Sequence, residues 1–105
     1  MNEPVTISTM IDHLAWGVLH GFCLTRKFVP NINSETVEDS GAHRIWAFQA
    51  RVPDGVDLAR IADDLAEYLG YLNAAPGTFA KFAVFDVHVF HYPDTGTYAE
   101  LLICQ

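Results

Sequence analysis

The chain contains few basic residues. Its 105 residues include six lysines and arginines against thirteen aspartates and glutamates, which gives a net charge of −7 and a pI near 4.9. A protein that binds nucleic acid by releasing counterions needs a basic face, so the composition argues against a nucleic-acid partner. An acidic surface suits solubility in the cytoplasm or docking to a basic protein partner.

Cysteines and long apolar runs are also scarce. Cys23 and Cys104 stand far apart with no C-x-x-C spacing, which favours buried, reduced thiols in a cytoplasmic protein. No apolar run approaches the roughly 20 residues that span a bilayer. The first residues, MNEPVTISTMIDHL, lack the basic segment and the unbroken apolar stretch of a secretory signal. We therefore expect a cytoplasmic protein without membrane contact.

The motifs of common catalytic and cofactor sites are missing from the sequence. There is no glycine-rich phosphate loop, no G-x-S-x-G and no H-E-x-x-H, each of which would indicate a specific chemistry. The sequence therefore favours a non-enzymatic protein without a cofactor, and an enzyme stays open as the alternative.

Hydrophobic residues, in contrast, make up 50% of the chain, and the mean hydropathy is +0.15. The length predicts one domain that covers residues 1–105. Such a composition indicates either a well-filled core or an apolar surface that another chain covers.

The first half of the chain predicts one helix and two strands. A helix is expected to begin at Thr9, with Asp12 completing a capping box, and to end at Gly21. Residues 22–30 read as a strand, and the acidic segment 31–42 reads as a loop. The alternation in residues 43–52 predicts a second strand. Residues 5–8 are either a short strand or a lead-in to the helix.

The second half predicts a helix followed by a hairpin. Asp57 is the expected N-cap of the helix, and the segment Asn73–Gly77 ends it. Strands over 78–92 and 97–104 are joined by a turn at 93–96. The helix has an apolar stripe at helical period: Leu58, Ile61, Ala62, Leu65, Tyr68, Leu69 and Leu72.

The order (β)αββαββ predicts an α+β fold. If residues 5–8 form a strand, the pattern is that of a ferredoxin-like two-layer sandwich, with two helices on one face of an antiparallel sheet. Without that strand, a related layer of two helices on a sheet remains.

Neither face of the long strand 78–92 is clean and polar. Strict alternation would place six side chains on the face away from the helices: Phe82, Val84, Asp86, His88, Phe90 and Tyr92. A face of that kind needs a cover. A second copy of the chain is the cover we favour, which predicts a homodimer. A folded-back C-terminal strand, a different partner and a ligand are the alternatives.

Asp86 and His88 are two apart on this strand and therefore share a face. Such a pair could chelate a divalent metal if His43 supplied a third ligand, but the remaining motifs of known metal sites are missing. We therefore predict no metal and interpret the pair as a buried Asp–His hydrogen bond or as a pair at the edge of a dimer face. His91 points to the opposite face, so the two histidines of this strand cannot share one site.

Two functional hypotheses follow. In the leading one, a small acidic protein acts by association, as an inhibitor, immunity or regulatory subunit does, with an acidic face on the second helix for a basic partner. That face consists of Asp57, Asp63, Asp64 and Glu67. In the alternative, a small-molecule-binding protein or enzyme has a pocket on the open sheet face. Its lining would be Trp46, Phe82, Asp86, His88, Phe90 and Tyr92.

Overall fold

A computed structural model of the chain describes residues 7–78 and 80–105. It contains two α-helices, five strands and two short 3-10 turns, the turns at Ile32–Ser34 and Leu58–Arg60. The helices and strands are α1 (Ile7–Arg26), β1 (Val29–Pro30), β2 (Thr36–Ser40), β3 (His43–Arg51), α2 (Ile61–Ala74), β4 (Ala83–Tyr92) and β5 (Gly96–Cys104).

The strands form one antiparallel sheet in the order β1-β3-β5-β4, and β2 also pairs with β3. β1 lies beside the end of β3 and β2 beside its beginning, so the two short strands share one edge. Both helices pack on the same face of the sheet. The predicted α+β class, with an antiparallel sheet and two helices on one face, is confirmed. The possible strand at residues 5–8 is wrong for residues 7 and 8, which belong to α1, while residues 5 and 6 lie outside the described residues.

α1 is longer than predicted at both ends. It begins at Ile7 rather than Thr9 and continues through Gly21 to Arg26. Gly21 does not end the helix; it allows α2 to approach, because a Cβ at this position would lie 2.5 Å from the Tyr68 hydroxyl.

α1 ends in a Schellman motif at Lys27, whose φ is 62°. The Phe28 amide donates to the Cys23 carbonyl at 2.9 Å, which is the long bond of that motif. The predicted strand over 22–30 is therefore wrong except at Val29–Pro30. Phe22 and Cys23, which fall within that predicted strand, instead extend the buried stripe of the helix.

The predicted loop 31–42 is wrong in part, because it contains β2. All five residues of β2 are exposed, so the segment has no hydrophobic alternation that could have revealed a strand. A two-residue turn with Gly41 at φ 59° leads from β2 into β3.

The core lies between the helices and the covered face of the sheet. α1 contributes Leu19 and Phe22, and the predicted stripe of α2 contributes Ile61, Leu65 and Leu69. Asp57 caps as predicted, although the first turn it caps is the 3-10 turn at Leu58–Arg60. The sheet contributes alternate residues of two neighbouring strands: Trp46, Phe48 and Ala50 from β3, and Ala99, Leu101 and Ile103 from β5.

Candidate functional site

A β-bulge near the start of β4 decides which side chains share a face. Val84 pairs with Ile103 and Asp86 pairs with Leu102, so Phe85 is an extra residue without a partner on β5. The bulge shifts the phase of alternation by one residue. Val84 therefore lies on the covered face, opposite buried Ile103, while the residues after the bulge keep the predicted faces.

Two residues of the predicted pocket lining consequently belong to the core. Trp46 is fully buried on the covered face, and Phe82 precedes β4 and is also buried. Their rings meet edge to face with centroids 5.3 Å apart. Phe82 is held there by Asn73, whose side chain binds both the carbonyl and the amide of Phe82. The prediction that Trp46 and Phe82 line one surface with Asp86 is wrong.

The other four predicted residues do share a surface, which we call the open face: the side of the sheet away from the helices. Residues directly opposite each other on paired strands point to the same side, so the register arranges the open face in cross-strand rows. From the hairpin end these are Arg51–Tyr98–Phe90, Gln49–Glu100–His88, Ala47–Leu102–Asp86 and Ile45–Cys104.

His88 lies between two carboxylates on the open face. Its Nε2 is 2.9 Å from Asp86 Oδ2, and its Nδ1 is 3.0 Å from Glu100 Oε1. Because both ring nitrogens face acceptors, the arrangement favours the doubly protonated imidazolium. We call Asp86, His88 and Glu100 the acid–histidine cluster; Asp86 and His88 expose 54% and 47% of their side chains.

The contacts in the cluster shift two pKa values in opposite directions. The pKa of His88 is raised above 6.5, first by the hydrogen bond to Glu100 and then by the bond to Asp86. The pKa of Asp86 is lowered below 3.8, first by the backbone N–H of Val87, which donates to Oδ1 at 2.8 Å, and then by His88. In both groups the contacts stabilise the charged form, and the pKa shifts accordingly.

The three side chains of this cluster do not converge on one point, because Asp86 and Glu100 face different ring nitrogens of His88. His43, the donor that the sequence suggests, stands six residues along β3 from the row of His88, roughly 20 Å away at strand spacing. Among the residues that the structure describes, no group of three potential ligands is close enough together to hold a metal ion. His91 lies on the opposite face, as predicted, and its Nδ1 is 3.1 Å from Thr97 Oγ1.

Three rings form an aromatic cluster at the hairpin end of the open face: Phe90, Tyr92 and Tyr98. The Phe90 and Tyr92 rings stack with centroids 6.4 Å apart, and Tyr92 meets Tyr98 edge to face at 5.4 Å. His88 continues the series at 6.5 Å from Phe90. Rings in these arrangements attract one another beyond the apolar area they bury. All three rings remain partly or largely exposed.

The predicted acidic face lies on α2 and its leading turn. Asp63 and Glu67 are exposed, Asp64 is partly exposed, and Asp57 is engaged as the cap described above. No cation in the described part of the chain forms an ion pair with these four carboxylates.

Glu100 is a residue of the acid–histidine cluster that was not predicted from the sequence. Its signal was present, because the turn at 93–96 joins the two strands and thereby sets Glu100 opposite His88.

Asp12 belongs to the second turn of α1 rather than to the predicted capping box. The Asp12 carboxylate accepts two bonds from Arg44, at 3.1 and 3.0 Å, and a third from Trp46 Nε1 at 2.8 Å. This group of three residues, the anchor cluster, joins α1 to β3 on the covered face.

Two concave regions lie away from the acid–histidine cluster. One is an apolar cleft of about 300 Å³ between the helices, lined by Leu14 and Val18 of α1 and Leu69 and Leu72 of α2. The other, of about 240 Å³, lies beside the first strand and includes Lys27, Arg51 and Asp54. A pocket with the predicted lining does not assemble.

Comparison with known proteins gives no identification: no family model, no curated protein and no solved structure matches the chain. No helix in the described ranges is long and apolar enough to cross a membrane.

Proposed function

We propose that this protein acts by association rather than by catalysis, and that the open face binds a second copy of the chain. The aromatic cluster carries the proposal. It is exposed on the one sheet face that the helices leave uncovered, and exposed apolar surface of this kind typically marks a contact with another chain. A two-fold axis in the plane of the sheet would bring the same rows of both copies together.

The charge distribution supports this face over others. Two chains of charge −7 repel each other, and much of the negative charge lies on the acidic face of α2. On the open face, the carboxylates Asp86, Glu100 and Glu38 are accompanied by Arg51 and His88, and the pKa of His88 is raised first by Glu100 and then by Asp86. The acidic face of α2, in contrast, forms no ion pair with a cation of the described residues. Two copies therefore repel each other less through their open faces than through their acidic faces.

The open face is small for a specific interface. Four strands about 4.8 Å apart and about eight residues long cover roughly 500 Å² per copy. The pair would bury about 1,000 Å², at the low end of specific interfaces. We therefore propose a dimer that dissociates in the micromolar range. We also propose a cytoplasmic location, which agrees with the two free thiols of the chain, Cys23 and Cys104, because the cytoplasm keeps thiols reduced.

Sedimentation equilibrium of wild type and two tyrosine variants tests the face contact. Tyr98→Ala removes a ring of the aromatic cluster on β5 and should raise the dissociation constant about tenfold or more. Tyr71→Ala is the matched control, because Tyr71 is 73% exposed on α2, and should change it less than twofold. A wild-type monomer at 100-micromolar concentration, or equal effects of both variants, would contradict the proposal.

Thiol reactivity gives a second readout on the unmodified chain. Cys104 points to the open face but is only 8% exposed, and burial raises its pKa. Cys23 lies deeper, in the core, where burial raises its pKa to about 12. Reaction of Cys104 with a thiol reagent should slow as the protein concentration rises, because the second copy covers it, while Cys23 stays slow throughout. A rate at Cys104 that does not depend on concentration would count against coverage of the open face.

The acidic face supports a second association, with a basic partner of the kind that inhibitors and immunity proteins bind. The observation in its favour is the lack of ion pairs at Asp63, Asp64 and Glu67 noted above. Replacing Asp63 and Glu67 with lysine should weaken capture of a basic partner at low salt and leave the self-association of the open face unchanged. Unchanged capture by the variant would remove this candidate.

A further inference from the structure

β4 has a free edge. Among residues 7–78 and 80–105, its backbone pairs with β5 alone, so one side of a ten-residue strand is open. β4 contains neither lysine nor proline, the residues that most often prevent pairing at sheet edges. Val87 and Val89 have the β-branched side chains that fit a strand. The edge can therefore accept another strand.

The hydrogen-bond pattern identifies the backbone groups at this edge. The carbonyl of Thr97 accepts from Val52 on the β3 side, so the neighbouring residue Tyr98 directs its groups to β4 and bonds Phe90. Alternation along an antiparallel ladder then directs His88 and Phe90 to β5 and directs Val87, Val89 and His91 to the free edge. The Val87 amide agrees with this, since it donates to the Asp86 side chain rather than to β5.

Only the first half of the β4 edge is protected against pairing with another strand. The bulge at Phe85 interrupts the first part of β4, and Asp86 occupies the amide of Val87. Beyond them, the amides and carbonyls of Val89 and His91 have no partner among the described residues. Strand addition is thus hindered before Val87 and free after it.

We propose that the free edge of β4 pairs antiparallel with β4 of a second copy, about a two-fold axis at Val89. This contact is separate from the proposed open-face contact, because it uses backbone groups at the edge of the sheet. The register brings Val89 opposite Val89 of the other copy and Val87 opposite His91. Val87, Val89 and His91, whose backbone groups point to the free edge, then all form hydrogen-bonded pairs. Of the six possible bonds, only the two that need the Val87 amide compete with Asp86.

Side-chain pairing favours a second copy as the occupant. On the open face this register sets His88 opposite Phe90 and Asp86 opposite Tyr92, so no like charges are directly opposed. An axis one residue earlier would set two His88 imidazolium rings face to face. An axis one residue later would leave four possible hydrogen bonds rather than six.

The edge contact also extends the surface of the proposed open-face contact. An axis perpendicular to the sheet keeps the helices of both copies on one side and joins their open faces into one, about twice as large. Two such pairs stacked through their open faces form a tetramer with dihedral symmetry, a common closed arrangement. The edge alone would give a dimer.

Native mass spectrometry and sedimentation of Val89→Pro test the proposal. Proline removes an amide that points away from β5, a position where an edge strand tolerates it. The fold, checked by circular dichroism, should be retained while edge pairing is lost. Val89→Thr, which keeps the amide and the β-branch, is the matched control and should assemble like wild type.

The outcomes separate this contact from the open-face contact. With both contacts present, wild type forms tetramers, and Val89→Pro and Tyr98→Ala each stop at dimers. A wild-type dimer that Val89→Pro abolishes and Tyr98→Ala leaves intact supports the edge and contradicts the face. The reverse pattern, or assembly of Val89→Pro identical to wild type, overturns the edge proposal, and a wild-type monomer overturns both.

Amide hydrogen exchange provides a measurement that needs no variant. The amides of Val89 and His91 should exchange quickly in dilute protein and become protected as the concentration rises. Those of His88 and Phe90, which bond β5, should be protected at both concentrations. Fast exchange of Val89 and His91 at every concentration would overturn the proposal even if Val89→Pro failed to fold.

Discussion

Asp12 and Asp86 lie on opposite faces of the same sheet, and each carboxylate binds a basic side chain. In the anchor cluster, Asp12 is partly buried and satisfies both Arg44 and the indole N–H of Trp46, a residue with no exposed surface. In the acid–histidine cluster, Asp86 is exposed, and its partners are His88 and a backbone amide at the edge.

The difference shows that a buried polar contact holds the fold together, whereas an exposed one is free to contact another chain. A buried N–H that loses its acceptor bears the full cost of desolvation, so the anchor cluster fixes the position of α1 on β3. Exposed ion pairs contribute little to folding. The acid–histidine cluster can therefore be altered without loss of the fold, which makes it available for contacts with another chain.

The largest expected effect comes from breaking the anchor cluster. Asp12→Ala leaves the buried indole N–H of Trp46 without its acceptor and leaves Arg44 with only the longer contact to Asp39. We expect a loss of about 2–4 kcal/mol in the free energy of unfolding. Asp86→Ala is the matched variant on the other face and should leave the urea midpoint unchanged. Equal shifts of the urea midpoint in the two variants would refute the contrast.

A smaller effect is expected where the two helices meet. Gly21→Ala forces the Tyr68 hydroxyl to move, which should cost about 1–2 kcal/mol. Gly17→Ala, with no atom within 4 Å of the added Cβ, should stabilise α1 by about 0.5–1 kcal/mol. Combining Gly21→Ala with Tyr68→Phe should restore stability in thermal melts. If the double variant stays as unstable as Gly21→Ala, the cost arises elsewhere.

The smallest effect concerns protonation on the open face. NMR titration should place the pKa of His88 above 6.5, and Glu100→Gln should lower it more than Asp86→Asn, because the bond to Glu100 is the larger cause. Since the folded state holds this proton more tightly than the unfolded state, the stabilisation is complete below pH 6.5. It is lost as the pH rises through the raised pKa. An unshifted His88 resonance would show that the cluster is not formed in solution.

Much of the fold follows from the sequence where periodicity is strong. The stripe of α2, the strand at 43–51 and the final hairpin were predictable because apolar spacing and turn residues agree there. The wrong predictions concern segments whose structure is decided by contacts between distant residues rather than by the local sequence. Gly21 reads as a helix end until Tyr68 is known to pack against it, and exposed β2 carries no alternation.

The part of the candidate site that follows the bulge was predictable from the sequence, and the part that precedes it was not. The pairing of Asp86 with His88 follows from alternation, and the hairpin turn would have added Glu100. The positions of Phe82 and Val84 depend on the bulge at Phe85, for which no glycine or proline provides a signal. Trp46 lies in the core because it alternates in phase with Phe48 and Ala50 on β3. Its indole N–H is satisfied there by Asp12, 34 residues earlier, a contact that local sequence patterns do not reveal.

Phe85 also determines which sequence changes β4 can undergo. Before Phe85, the even-numbered residue Val84 points to the covered face. After Phe85, the even-numbered residues from Asp86 to Tyr92 point to the open face. Deleting Phe85 alone would bring the pairs Val84–Ile103 and Asp86–Leu102 next to each other in a regular ladder, and every other side chain of β4 would stay on its present face. Loss of a residue from the regular part of β4 would instead exchange the two faces beyond it. Related chains should therefore differ in length at Phe85 before they differ in length anywhere else in β4.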